Sequence, residues 1–231
     1  MSFSRAAATG DSRFGNVLAS FAPVRRDTQT GDTGFDLSGV VAHFPAGRQI
    51  YAEGDDARSF YKVIGGTVRT CRFLNDGRRQ IAAFHGAGDV FGIESGPDHR
   101  LTAEAVTDCS IAAYRWRGLD TTIVGDDRLG HWFLSHLMAA LSRTREHALL
   151  LGRGSAAQKI AAFLLEQDAM NDAGSMIDLP MTRQDIADYL GLTIETVSRT
   201  LSQLERDRVI DLPCARRIGL KDRQALRGLI A

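Results

Sequence analysis

The chain has 231 residues, of which 44% are hydrophobic and 24% charged, and its 28 basic side chains are balanced by 28 acidic ones. This composition is ordinary for a globular protein of two modest domains, and the zero net charge excludes binding to nucleic acid through overall basicity. Three scattered cysteines cannot form a disulfide framework, and no apolar run approaches the length of a membrane span. We therefore expect a soluble protein of the reducing cytoplasm that does not enter membranes.

Residues 1–34 are rich in Ser, Thr, Gly, Asp and Arg, and their apolar side chains are scattered. Such a segment buries too little apolar surface to offset the entropy lost on ordering it. It is predicted to be a flexible tail with one short helix over residues 16–21.

Residues 35–117 contain short runs rich in Val, Ile, Phe and Tyr, separated by turns that contain glycine. The runs are VVAHF, RQIYA, FYKVI, TVRTCRFL, RQIAAFH and SIAAYRW. Regular spacing of this kind is typical of antiparallel sheets, and Asp76-Gly77 is a strong hairpin signal. The segment is predicted to form an antiparallel β-sandwich or β-roll.

The pattern becomes helical in the region 118–152, most clearly between residues 128 and 151. Counting in sevens defines a stripe of two rows, in which five of the six side chains are apolar. The stripe consists of Leu134, Leu141 and Ala148 in one row and Leu137, Thr144 and Leu151 in the other. It either covers the helix's own β-roll or forms the seam of a two-fold dimer.

A second domain is predicted over residues 153–231. The run of residues 152–155 contains two glycines, which end the long helix and are suited to a hinge. A helix over 156–167, a loop over 171–175, a β-hairpin wing within 208–222 and a closing helix over 222–230 are expected.

Residues 182–206, TRQDIADYLGLTIETVSRTLSQLER, predict two short helices joined by a tight turn. Thr182 is expected to cap the first helix and Thr193 the second, because a threonine hydroxyl accepts from free backbone N–H groups. Gly191 is expected in the left-handed conformation that ends a helix. The second helix has an apolar stripe at i, i+4 and i+7, namely Val197, Leu201 and Leu204. This spacing matches the helix-turn-helix, whose second helix enters the major groove of DNA.

The apolar stripe leaves Glu195, Ser198 and Arg199 together on another face of the second helix. Arginine can donate twice to guanine, glutamate can accept from cytosine N4, and serine can bond several bases, so these three are candidates for reading base edges. The alternative is an ordinary helical hairpin with a solvated polar face. Candidates for contacts with the DNA backbone are Thr182, Thr193, Thr196, Arg216 and Arg217.

This segment resembles the DNA-binding domain of the CRP/FNR family of bacterial transcription regulators. Residues 195–199 have the E-x-x-S-R form of the FNR-like branch, whereas the cyclic AMP receptor branch has R-E-x-x-G-R. Ile194 replaces the arginine of that second pattern, and Ser198 replaces its glycine. The run RQDIADYLGLTIETVSRTL is most similar to the FixK subgroup, regulators of low-oxygen respiration and nitrogen fixation. The general resemblance covers about residues 35–231.

The resemblance implies an α+β fold with an N-terminal β-roll of the cyclic-nucleotide-binding type, a long dimerisation helix and a C-terminal winged helix-turn-helix. It favours the homodimer over the monomer, since a palindromic DNA site requires two readers. It also implies an activator that binds double-stranded DNA and contacts RNA polymerase. The implied site is close to TTGAT-N4-ATCAA, in which Glu195 and Arg199 read a G·C pair and Ser198 a neighbouring A·T pair.

No cofactor is expected. FNR itself holds an iron-sulfur cluster through cysteines near its N-terminus, and residues 1–34 contain no cysteine. A cyclic-nucleotide pocket in this family carries an Arg-Ser or Arg-Thr pair that grips the phosphate. His99-Arg100 stands at that position, so the hydroxyl is missing, although Arg100 keeps a charge that could reach a phosphate. A cyclic-nucleotide-responsive regulator remains the first alternative.

A β-roll metalloenzyme with an accessory domain is the second alternative. Metal sites of the cupin type use H-x-H followed by glutamate, but His43, His85 and His99 are isolated in the sequence. No nucleophile elbow or phosphate-binding glycine loop occurs either. We predict neither catalytic residues nor a metal site.

Cys214 lies in the predicted wing, two residues before Arg216. Neighbouring arginines lower the pKa of a thiol and favour its oxidation, and a sulfinate near the phosphates would oppose DNA binding. Cys214 is therefore a candidate redox brake. The alternative is a small, partly buried apolar residue without a regulatory role.

Overall fold

The computed structural model describes residues 39–116, 127–170 and 176–230. The tail of residues 1–34, with its predicted helix at 16–21, and the predicted loop at 171–175 lie outside this part of the chain. The N-terminal strands are β1 (Val40–Phe44), β2 (Gln49–Tyr51), β3 (Ser59–Gly65), β4 (Val68–Phe73), β5 (Arg79–His85), β6 (Val90–Phe91), β7 (Thr102–Ala105) and β8 (Cys109–Arg115). They are followed by α1 (Asp127–Arg153), α2 (Ala156–Met170), β9 (Met176–Asp178), α3 (Arg183–Leu190), α4 (Ile194–Arg206), β10 (Ile210–Cys214), β11 (Arg217–Leu220) and α5 (Arg223–Ile230).

The first eight strands form the predicted antiparallel β-roll. One sheet has the order β1-β8-β3-β6 and the other β2-β7-β4-β5. Their inward side chains, among them Ile50, Val63 and Ile111, are at most 1% exposed and form a common core. The predicted hairpin at Asp76-Gly77 is confirmed, since β4 and β5 pair across it and Gly77 has a φ of 83°.

The long helix α1 packs one end against the roll. Leu129 is 1% exposed and shares a small aromatic cluster with Phe60 of β3. The opposite side of α1 remains uncovered: Leu134, Met138 and Leu141 are 56%, 57% and 42% exposed. Among the other residues of the predicted stripe, Leu137 and Leu151 are half-buried, and Thr144 and Ala148 are exposed.

The C-terminal domain packs four helices and a small sheet around one core. Ile160, Phe163 and Leu164 of α2 lie in this core with the inward side chains of α3 and α4. The predicted wing is present as β10 and β11, which pair antiparallel. A third strand, β9, pairs with β11 and was not expected from the sequence. Its three residues are too few for an alternating pattern to be recognised.

The core of the C-terminal domain also contains side chains of the roll. Cys71 of β4 and Ile81 of β5 are both 0% exposed and belong to the same apolar cluster as α2, α3 and α4. The outer face of β4 and β5 is therefore packed against the helix-turn-helix rather than solvated.

None of the helices in residues 39–116, 127–170 and 176–230 has both the length and the apolar character of a membrane span.

Candidate nucleic-acid interface

The first helix of the predicted helix-turn-helix begins with a capping box. Thr182 has extended backbone angles, and its hydroxyl accepts from the Asp185 N–H at 3.1 Å. In return, Asp185 Oδ2 accepts from the Thr182 N–H at 2.9 Å. The predicted cap at Thr182 is confirmed. Its reciprocal partner Asp185 was missed, although the T-x-x-D spacing is a recognised signal for such a box.

The turn between α3 and α4 requires glycine. Gly191 has φ 62° and ψ 41°, the left-handed conformation predicted for it, and its N–H donates to the Ala187 carbonyl. A side chain with a Cβ is strained at these angles. Ala187 is 0% exposed where the two helices meet, so a larger side chain there would separate them. The turn thus sets the angle between α3 and α4.

The rotation of α4 about its own axis is set by its buried side. Thr193 caps the helix, and its hydroxyl accepts from the Thr196 N–H at 3.2 Å. Val197, Leu201 and Leu204 are 0%, 2% and 5% exposed, as predicted. Because a helix buries one stripe, the side chains a quarter to half a turn from its centre lie on its outward side.

The three candidates for base reading lie on that outward side. Glu195 and Arg199 are exposed and Ser198 is half-buried. The backbone N–H of Glu195 and the hydroxyl of Thr193 hold the pKa of the Glu195 carboxyl below its usual range, so it is an acceptor at neutral pH. Within the described residues, the Arg199 guanidinium has no ion-pair partner. This face therefore presents a carboxylate, a hydroxyl and a guanidinium, the groups that pair with base edges.

The candidates for contacts with the DNA backbone differ in whether their polar groups are already bonded within the protein. Thr182 and Thr193 are exposed, but their hydroxyls already serve the two helix caps. Arg216 lies in the two-residue turn of the wing, whereas Arg217 Nε is 3.0 Å from Asp178 Oδ1 of the unexpected strand β9. Both ends of this pair are more than half exposed, so it is weak and easily exchanged for a phosphate.

Cys214 differs from the other two cysteines. It is exposed at the end of β10, opposite Arg217 in the wing hairpin. Cys71 and Cys109 are buried in the roll, and burial raises the pKa of the Cys71 thiol to about 11 and also raises that of Cys109. Only the thiol of Cys214 is accessible to an oxidant among the three.

His99 and Arg100 stand where a cyclic-nucleotide pocket would bind the phosphate, but they do not form a polar pocket. His99 is 2% exposed and stacks on Tyr51, with ring centroids 3.7 Å apart. Burial lowers the pKa of the His99 imidazole, so the ring is neutral at pH 7. Arg100 is exposed, and its backbone N–H donates to Glu94 Oε1 at 3.1 Å. A buried neutral ring and an outward arginine do not form a phosphate cradle.

The histidines do not form a metal site in the described part of the chain. His43 pairs with Ser110 and His85 with Thr70, each at about 3 Å between the hydroxyl and the ring nitrogen. Across residues 39–116, 127–170 and 176–230, no group of three or more His, Cys, Asp or Glu side chains could hold a metal ion.

A cavity of about 690 Å³ lies between α1, α2 and α3, lined mostly by apolar side chains.

Comparison with known proteins agrees with both halves of this architecture. Residues 41–123 match a cyclic nucleotide-binding domain, and residues 158–229 match a Crp-like helix-turn-helix domain. The chain is 41% identical over 190 residues to the nitrogen fixation regulation protein FixK of Rhizobium meliloti, covering 82% of this chain and 87% of that protein. It is 43% identical over 198 residues to FixK of Azorhizobium caulinodans, covering 83% and 79% of the two chains.

A solved structure extends this similarity to three dimensions. FixK2 from Bradyrhizobium japonicum is 43% identical and superposes with a TM-score of 0.79, covering 84% of this chain and 98% of that one. The relatives are regulators and not enzymes, which rejects the metalloenzyme alternative. The predicted α+β architecture and the predicted family resemblance are confirmed.

Proposed function

Because the chain belongs to the CRP/FNR family of DNA-binding transcription regulators and is FixK-like, we propose that it activates low-oxygen or nitrogen-fixation genes from a palindromic site. It does so as a homodimer that contacts RNA polymerase. The rotation of α4 supports this proposal most directly, because three buried side chains leave Glu195, Ser198 and Arg199 facing outward. The similarity to FixK, a nitrogen fixation regulation protein, supports the choice of nitrogen-fixation genes.

The DNA site is close to TTGAT-N4-ATCAA. Arg199 donates twice to guanine O6 and N7, and Glu195 accepts from N4 of the paired cytosine, so the two side chains read one G·C pair. Ser198 bonds the neighbouring A·T pair. Thr182, Thr193, Thr196, Arg216 and Arg217 contact phosphates, which positions the helix without specifying a sequence.

Dimerisation occurs along α1. The exposed stripe of Leu134, Met138 and Leu141 is a large apolar surface for a helix in water, and a second copy would cover it. Met138 extends the stripe that the sequence indicated, and Leu149, 74% exposed, lies near its far end. Two α1 helices related by a two-fold axis would present two α4 helices to the two halves of a palindrome.

The protein needs neither an iron-sulfur cluster nor a cyclic nucleotide. The buried His99 ring occupies the place where a phosphate-gripping residue would stand, and Arg100 points to solvent. Calorimetry with cyclic AMP separates this proposal from the cyclic-nucleotide-responsive alternative. We expect no saturable heat; a saturable signal that also tightens DNA binding would favour the alternative.

The proposed function is tested by fluorescence anisotropy with a labelled duplex that contains TTGAT-N4-ATCAA. We expect saturable binding of two protomers per duplex without added ligand. Replacing the G·C pair of each half-site with A·T should weaken binding at least tenfold per half-site, because the base pair read by Glu195 and Arg199 is lost. Equal affinity for both duplexes would reject the proposed site. Stimulation of transcription in vitro with purified RNA polymerase tests the activator role.

A further inference from the structure

A cluster of charged side chains joins the β-roll to the DNA-binding domain. Arg69 Nη1 of β4 donates to Asp185 Oδ1 of α3 at 3.0 Å, and Arg79 of β5 pairs with the same oxygen. Arg79 Nε also donates to Asp188 Oδ2 at 2.9 Å. Glu104 of β7 completes the cluster from the roll side, because its Oε2 accepts from Arg69 Nε at 2.8 Å. We call the four side chains Arg69, Arg79, Asp185 and Asp188 the clasp.

The clasp is shielded from water. The Asp185 side chain is 4% exposed, and those of Arg69 and Arg79 are 16% and 18% exposed. Ion pairs that are largely desolvated and have several partners resist screening by salt, unlike pairs at the surface. Removing one partner would leave a buried charge uncompensated, so the clasp has one strongly preferred arrangement.

Asp185 links the clasp to the start of the helix-turn-helix. Its Oδ2 closes the capping box with Thr182 while its Oδ1 accepts from both arginines. Burial opposes ionisation of this carboxyl, but the bonds from Thr182 and the two guanidinium groups outweigh it and lower its pKa. The same carboxylate thus holds the N-terminus of α3 and anchors it to the roll.

Aromatic and apolar contacts hold the rest of α3 on the same surface. Phe84 of β5 lies 5.3 Å from Tyr189, between ring centroids, and Gln80 Nε2 donates to the Tyr189 carbonyl at 3.4 Å. On the other side, the Tyr189 ring stacks on His147 of α1 at 4.0 Å. The helix α3 is therefore held between the roll and the dimerisation helix.

The chain connection alone does not set this orientation. Only Gly154 and Ser155 separate α1 from α2, and a glycine at such a joint permits rotation of one domain against the other. Reading two half-sites requires the two α4 helices at a fixed separation of about 34 Å. Contacts beyond the connection must therefore supply the geometry.

We propose that the clasp is the positioning device for DNA reading: Arg69 and Arg79 hold α3 through Asp185 and Asp188, so that α4 is set for the palindrome without a ligand. This inference rests on the proposed ligand-independent binding. In this role the roll serves as a rigid support for the DNA-binding domain, and the ion pairs replace the effector that would otherwise select the orientation.

The test compares Arg79→Glu with Arg78→Glu in the full-length protein. Arg78 is the matched control, since it precedes Arg79 but is 78% exposed and forms its ion pair with Asp76 of its own turn. Binding is measured on palindromes with spacers of three, four and five base pairs. We expect Arg79→Glu to lose at least tenfold in affinity for the four-base-pair spacer and to discriminate less between spacers. Adding Asp188→Arg should restore part of both properties.

Uniform weakening on all three spacers would indicate lost stability rather than lost positioning and would overturn the inference. Unchanged or tighter binding by Arg79→Glu would overturn it as well. If Arg79→Glu fails to fold, Arg79→Gln removes the charge at similar size and carries the same expectation.

A second measurement does not depend on DNA. Spin labels on Cys214, which is exposed, and on an Ala46→Cys substitution in an exposed turn of the roll report the distance between the domains. With excess unlabelled protein, only distances within one protomer contribute. We expect a narrow distribution for the otherwise wild-type protein and a broad or shifted one for Arg79→Glu. A distance distribution unchanged by Arg79→Glu would overturn the proposed role of the clasp. If the distribution does change but the wild-type protein does not bind the palindrome, only the proposed function is rejected.

Discussion

Arg199 is the residue whose removal should change sequence preference most. Arg199→Ala would delete the proposed bidentate guanine contact, and such a contact is worth about 1 to 3 kcal/mol. We therefore expect affinity to fall about 5- to 150-fold for each half-site of the palindrome and discrimination at the G·C pair to relax. Titration of wild-type and variant protein on the palindrome and on its A·T-substituted form measures both effects.

Arg206→Ala is the matched control for this substitution. Arg206 carries the same charge on the same helix but lies in its last turn, where its guanidinium bonds Gln203. Its loss should leave discrimination at the G·C pair unchanged. Equal loss of discrimination in both variants would mean that Arg199 acts through general charge rather than base reading.

His85 predicts a pH dependence of stability. Burial lowers the pKa of its imidazole to about 4, partly opposed by Asp89 and reinforced by Arg143. Because the unfolded chain has the higher pKa, near 6.5, it binds the extra proton first, and the free energy of unfolding falls as pH drops from about 6.5 to 4. Because the residue is half-buried rather than fully buried, we expect the free energy of unfolding to fall by about 2 kcal/mol.

Denaturant titrations at pH 7 and pH 4.5 measure this loss. His85→Gln keeps a donor for the Thr70 hydroxyl but cannot titrate, so its stability should fall less over the same interval. His131→Gln, at an exposed position of α1, is the control and should follow the wild type. Identical slopes for His85→Gln and the wild type would assign the pH dependence to other groups.

Cys214 remains a candidate redox brake. Oxidation to sulfinate in the wing would place a negative charge near the phosphates that Arg216 and Arg217 are proposed to contact. Peroxide should weaken DNA binding by the native protein and spare Cys214→Ser, since Cys71 and Cys109 are buried. Equal sensitivity of the two proteins in anisotropy titrations would reject the brake.

At the scale of elements, α1 has two apolar sides with different surroundings. Leu129 at its start contacts the roll, whereas Leu134, Met138 and Leu141 face outward. A helix that served only as a cover for its own roll would not carry this outward stripe. This is the physical basis for assigning the stripe to a second copy of the chain.

Leu141→Asp should break the dimer. In a symmetric seam, the substitution places two like charges near each other in a desolvated contact, which costs roughly 3 kcal/mol or more. Sedimentation at micromolar concentration should show a monomer, and DNA binding should fall with it. Ala139→Asp, at an exposed position of α1 that is not three or four residues from Leu134, Met138 or Leu141, should stay dimeric. A dimeric Leu141→Asp would place the seam elsewhere.

At the scale of the whole molecule, one core joins the two domains. Ile81 of the roll belongs to the same apolar cluster as side chains of α2, α3 and α4, next to the charged clasp. Domains that share a core and a desolvated ion-pair cluster are expected to unfold together, unlike domains joined by a flexible linker. The wild type should therefore show a single calorimetric transition.

Ile81→Ala tests this coupling. Removing a fully buried isoleucine side chain costs about 2 to 5 kcal/mol, and here the cavity would lie between the domains. We expect the transition to separate into two. Ile111→Ala, equally buried but within the roll's own core, should lower the transition temperature of the coupled unit without separating it. Two transitions in the wild type would contradict the shared core.

The sequence by itself determined the local features of this protein. The caps at Thr182 and Thr193, the left-handed Gly191 and the stripe of α4 depend on residues within about four positions of each other, so their spacing predicts them. The same holds for the hairpin at Asp76-Gly77. The E-x-x-S-R motif then indicated the family, because the outward face of α4 is a local feature too.

Only the tertiary structure decided how the parts meet. Arg69 and Asp185 are 116 positions apart, and no residue near either of them in the sequence predicts the ion pair. The strand β9 forms because it pairs with the edge of β11. His99 is buried because its ring stacks on Tyr51. Contacts of this kind form when distant segments are brought together by folding, and their energy depends on a shared, desolvated environment that no local pattern encodes.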